Sequence, residues 1–102
     1  MNAVKVQYTV QESYAETNKA NVANVMKAVR ALDNPNFKYS TFVLDDGVTF
    51  IHLVMRQGED TDNLPNSLPE FEAFRTGLMA SKPVSPPKPT NLNLVDTGWQ
   101  IF

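Results

Sequence analysis

Cysteine is absent from this chain of 102 residues, which removes disulfides, thiolate metal sites and thiol nucleophiles together and leaves packing as the source of stability. Charge of neither sign dominates: 9 Lys and Arg against 11 Asp and Glu give a formal net charge of -2. No overall basic field exists to attract a phosphate backbone, so nucleic acid is not an expected partner. No apolar run approaches the roughly 18 residues of a membrane helix, and Met1-Asn2-Ala3-Val4-Lys5 lacks the apolar segment of a signal peptide. A cytoplasmic protein without a membrane partner is therefore expected. The acidic stretch with Glu59, Asp60 and Asp62 lacks the ligand spacing and the glycine of a calcium loop, so it reads as solvated and no metal site is expected.

What is present is an ordinary globular composition, 42% hydrophobic and 20% charged, in a length that fits one domain spanning residues 1–102. Val4, Val6, Tyr8 and Val10 alternate with Lys5, Gln7 and Thr9, the period of a strand with one apolar face. Ser13 and Glu16 fit a capping box ahead of a long amphipathic helix carrying Val22, Val25, Met26, Val29 and Leu32, which ends near Asp33-Asn34-Pro35. Two strand-like runs, Phe37 to Leu44 and Val48 to Arg56, flank Asp45-Asp46-Gly47, and Asp46-Gly47 fits a two-residue hairpin loop. Gln57 to Asn66 reads as a solvated loop. Ser67 and Glu70 repeat the capping pattern, with Pro69 in the first turn of a shorter helix that is lined by Phe71, Phe74 and Leu78 and ends near Ser81. Lys82 to Pro89 holds four prolines and reads as an extended connector, which leaves Leu92, Leu94 and Gly98 to Phe102 for the last strand.

The order strand, helix, strand, strand, helix, strand predicts an α+β fold, a ferredoxin-like βαββαβ domain whose antiparallel four-stranded sheet carries two helices on one face. The hairpin register sets Leu44 against Thr49, Phe42 against Ile51, Thr41 against His52 and Tyr39 against Val54. One face then holds Phe37, Tyr39, Thr41, Val43, Val48, Phe50, His52 and Val54, and the other holds Phe42, Leu44, Ile51, Leu53 and Met55. Both faces are mostly apolar, yet the helices cover only one. Leaving the second set in water forgoes on the order of 7 to 15 kcal/mol, at ~1.5 to 3 kcal/mol per side chain. A second copy of the chain, forming a homodimer through this sheet face, is the expected cover. Which face meets the helices stays open, because a one-residue slip exchanges the two.

The element order, the Asp-Gly hairpin and the strand Val48-Thr49-Phe50-Ile51-His52-Leu53-Val54 resemble the dimeric α+β barrel superfamily, which includes the antibiotic biosynthesis monooxygenase-like proteins. The resemblance spans the whole chain and is to architecture more than to a signature. It implies two sheets packed face to face across a dimer, with a pocket between each subunit's sheet and helices for a small aromatic or polyketide-like molecule. Some members oxidise such substrates without metal or flavin, so no cofactor is expected. The haem-degrading branch pairs a helical His with a nearby Asn and Trp, a pattern unlike this chain, where the only His is on a strand and the only Trp is Trp99.

Within that frame His52, the only imidazole, is either a hydrogen-bonded core histidine or a general base near neutral pKa that takes a proton from an acidic phenol or enol. Tyr39, Thr41 and Phe50 share its face and are the candidates for substrate contact, although aromatic and β-branched residues are also ordinary strand formers. Arg75 on the second helix can anchor a carboxylate or phenolate, and Trp99 can stack on a planar ligand or fill the core. The alternative is a non-catalytic binding or interaction module of the same fold. RNA recognition is a distant third: Val48 and Lys5 stand where stacking aromatics belong, and Asp46 replaces a basic residue.

Overall fold

The computed structural model describes every residue from Met1 to Phe102. Its elements are β1 (Asn2–Thr9), α1 (Ala15–Leu32), β2 (Phe37–Val43), β3 (Thr49–Arg56), α2 (Pro69–Ala80) and β4 (Ser85–Leu92). The four strands form one antiparallel sheet in the order β2-β3-β1-β4, the ferredoxin-like arrangement expected from the pattern. Tyr39 opposes Val54, Thr41 opposes His52 and Phe42 opposes Ile51, as the hairpin register requires. The loop itself differs. Asp45 and Asp46 both keep negative φ while Gly47 takes φ +75°, and the amide of Gly47 donates to the carbonyl of Leu44 at 2.9 Å. Instead of entering the left-handed region, Asp46 accepts hydrogen bonds from the amides of Val48 and Thr49, both at 2.9 Å, and from the Thr49 hydroxyl at 2.6 Å.

The last strand lies elsewhere than the sequence suggests. β4 is Ser85–Leu92, which takes in most of the proline-rich Lys82 to Pro89 stretch expected to be a connector and also the expected strand residue Leu92, whereas Asn93 to Phe102 forms no strand. Periodicity disfavours three prolines in a strand, but β4 pairs on one side only, so the missing amides cost little. Pro86 and Pro87 coincide with a bulge, because Gln7 pairs with Lys88 while Thr9 pairs with Ser85. Both capping boxes also fail. The N-caps are Tyr14 and Leu68, neither with a side-chain hydrogen bond, since a 3₁₀ turn at Glu12–Tyr14 precedes α1 and Pro69 opens α2. The loop after β3 is partly internal, with Thr61 and Leu64 buried.

Tyr8, Val10, Ala15, Val25, Phe50, Phe74 and Leu78 form the core between the sheet and the helices. The sheet therefore turns the face of Phe50, His52 and Val54 toward the helices. The opposite face keeps Phe42 and Leu44 exposed and Ile51, Leu53 and Met55 half-buried. Trp99, Gln100 and Ile101 of the C-terminal tail line a groove with Phe42, Leu53 and Met55 and with the end of α1.

Candidate functional site

His52 is set by strand parity in the middle of β3, with Val6 of β1 on one side and Thr41 of β2 on the other. The diagonal neighbours Tyr8 and Tyr39 then bring their hydroxyls to its ring. Tyr8 Oη lies 2.7 Å from Nε2, Tyr39 Oη 2.6 Å from Nδ1, and Thr41 Oγ1 3.2 Å from Nδ1. Asn18 of α1, wholly buried, donates from Nδ2 to Tyr8 Oη at 2.8 Å, and its Oδ1 is buried without a partner. Phe74 of α2 covers the imidazole at 5.2 Å between ring centroids, and Phe71 packs on Tyr39 at 6.4 Å.

Burial decides the protonation state. With no carboxylate beside it, His52 is pushed down from 6.5 to about 4 by desolvation, so the ring is neutral at neutral pH. The near-neutral titration expected of a lone histidine is thus displaced by its surroundings. Desolvation raises both Tyr8 and Tyr39, which remain phenols. A neutral imidazole carries one ring proton, and either tautomer satisfies the chain of bonds. If Nε2 donates to Tyr8, then Nδ1 accepts from Tyr39 and the Tyr8 proton is free; if Nδ1 donates to Tyr39, the Tyr39 proton is free. In each case one phenol keeps a hydrogen to offer, and both tyrosines line a cavity.

That cavity, of 670 Å³, lies between the sheet and α2, with Pro86, Pro87 and Pro89 of β4 on its rim. Its walls are mainly apolar, including Val4, Val6, Val54, Phe71, Phe74 and Leu78. Of the residues singled out from sequence, His52, Tyr39 and Arg75 line it. Thr41 touches only the imidazole among hydrogen-bonding partners, Phe50 lies in the core stacked on Tyr8 at 5.6 Å, and neither lines the cavity. Trp99 is 70% exposed on the tail and does not line the cavity.

Tyr8 and Asn18 beside the imidazole, and Arg56, which also lines the cavity, are not among the residues the sequence pattern singles out. Asn18 was detectable as the polar residue on the stripe continued by Val22, Val25 and Val29, a position that favours an apolar side chain. Tyr8 was on the correct face of β1, but its approach to His52 depends on β1 pairing with β3.

No family model and no curated protein matches the sequence. Solved structures do. An antibiotic biosynthesis monooxygenase superposes with a TM-score of 0.77 at 12% identity, covering 94% of this chain and 100% of the other. A candidate antibiotic biosynthesis monooxygenase from Nitrosomonas europaea gives 0.76 at 14% identity over 94% and 100%. A point variant of SnoaB, a cofactor-independent oxygenase from Streptomyces nogalater, gives 0.62 at 15% identity over 97% of each chain. At such identities the likeness speaks for the backbone and leaves the chemistry to the residues. Covered over nearly its whole length by these superpositions, the chain has a ferredoxin-like α+β fold similar to that of antibiotic biosynthesis monooxygenase structures.

Proposed function

We propose that this protein binds a small aromatic or polyketide-like molecule in the cavity between sheet and α2, as a homodimer joined through the outer sheet face. The supporting observation is the Tyr8–His52–Tyr39 array, with Tyr8 and His52 buried and Tyr39 half-buried, on the wall of a mainly apolar cavity. Apolar and aromatic walls suit a planar ligand, and a phenol proton aimed at a ligand oxygen stabilises charge developing there. The exposed Phe42 and Leu44 and the half-buried Ile51, Leu53 and Met55 support the dimer.

The sharpest form of this reading is cofactor-independent oxidation. The tyrosine that donates to the unprotonated nitrogen of His52 passes its proton to that nitrogen as its oxygen takes the hydroxyl proton of a phenol or enol, and the resulting anion is held by the tyrosine hydroxyl. Its electron-rich carbon forms a bond to dioxygen, the peroxide takes a proton, and loss of water leaves a quinone. One dioxygen is consumed and one water released per phenol. A non-catalytic binding module is the second reading, favoured by the engagement of both His52 nitrogens with hydroxyls.

Anthrone, which enolises to a phenol, tests these readings. Oxygen uptake with stoichiometric anthraquinone, lost in His52→Gln, supports oxidation. Tight binding without uptake supports the module, and absence of binding rejects both.

A further inference from the structure

The cavity has a charge imbalance that its apolar walls do not call for. Arg56 and Arg75 line it, and no Asp, Glu or Lys does. Arg56 ends β3 and is half-buried; its Nη1 donates to the carbonyls of Thr61, Asp62 and Leu64 at 3.1, 3.0 and 3.0 Å. Those carbonyls fix the guanidinium without neutralising it, and Nη2 and Nε engage no acceptor in the protein. The ion pair in the fold is Lys19 with Glu16 on the surface of α1, so no carboxylate balances Arg56 or Arg75. A held guanidinium with unused donors at the wall of a mainly apolar cavity, with the exposed Arg75 also lining it, is suited to a planar oxyanion, which it grips by paired hydrogen bonds.

We infer that the ligand is an acid: an aromatic molecule bearing a carboxylate or an equivalent planar oxyanion, bound by Arg56 and Arg75 while its rings lie against Phe71, Phe74 and the tyrosines. This rests on the cavity being the ligand site. It adds a specificity that the Tyr8–His52–Tyr39 array does not contain, because that array is neutral.

Anthracene-2-carboxylate and anthracene-2-carboxamide have the same rings and differ in charge, and fluorescence titration of the intact protein compares them. The acid is expected to bind ~10- to 100-fold more tightly, as for hydrogen bonds to a charged group, and rising salt should narrow the gap. Arg75→Gln should reduce the preference; this side chain makes no hydrogen bond within the fold, so the variant retains its structure. Arg56→Gln, checked for folding by circular dichroism, should reduce it further. Equal affinity for the two probes overturns the inference and leaves the binding site standing, as does a preference that survives both substitutions. Failure of both probes to bind overturns the inference together with the reading it rests on.

Discussion

Tyr39 Oη stands 2.6 Å from Nδ1 of His52, close enough that the two share one hydrogen and act as a unit. Thr41 Oγ1 is a second hydroxyl at the same nitrogen, whereas Nε2 has Tyr8 alone. The two sides of the imidazole are therefore unequally supported, and this asymmetry has measurable consequences.

Tyr8→Phe should destabilise more than Tyr39→Phe. The first strands both Nε2 and the Asn18 amide in a buried place, each at a cost of about 1 to 3 kcal/mol. The second leaves Thr41 to serve Nδ1 and should cost about 1 kcal/mol. Urea unfolding of the two variants measures the difference, and an equal or reversed order would show that Asn18 and Thr41 do not carry these roles.

Stability should fall as pH drops from 6.5 toward 4. His52 titrates near 4 in the folded chain against 6.5 when exposed, so in this window the unfolded state binds the extra proton and folding loses ground. The contribution, complete above pH 6.5 and gone below about 4, is about 3 kcal/mol at 1.36 kcal/mol per pH unit. His52→Gln keeps hydrogen-bonding capacity without titrating. Its unfolding midpoint should change less across that range than the wild type's, and identical pH profiles would sink the assignment.

Phe42→Lys should convert the proposed dimer to a monomer without unfolding the chain. Phe42 is 56% exposed in the single chain, so a lysine there costs the monomer little but would place a charge in the proposed interface. Light scattering coupled to size exclusion, with circular dichroism on the same sample, reads both quantities. A dimer that tolerates the lysine places the contact elsewhere.

The hairpin was legible in the sequence because period and turn are local: Asp-Gly punctuation and two-residue alternation are enough to pair Thr41 with His52. Of the site, Tyr39, His52 and Arg75 were legible. Tyr8 and Asn18 come from β1 and α1, and nothing in local spacing reports that their side chains meet beside His52.

The sequence by itself determined the order of elements, the hairpin register, the two-faced sheet and the helices, because each follows from short-range periodicity and backbone preference. Tertiary structure decided the rest. It made Ser85–Leu92 a strand, since an edge position relieves prolines of half their pairing, and it left Trp99 exposed and outside the cavity. It also chose which face met the helices, and so buried His52 between two phenols and lowered its basicity. Burial and the convergence of distant side chains arise only when non-local segments pack, so the chemistry of this imidazole belongs to the fold and not to its neighbours in the chain.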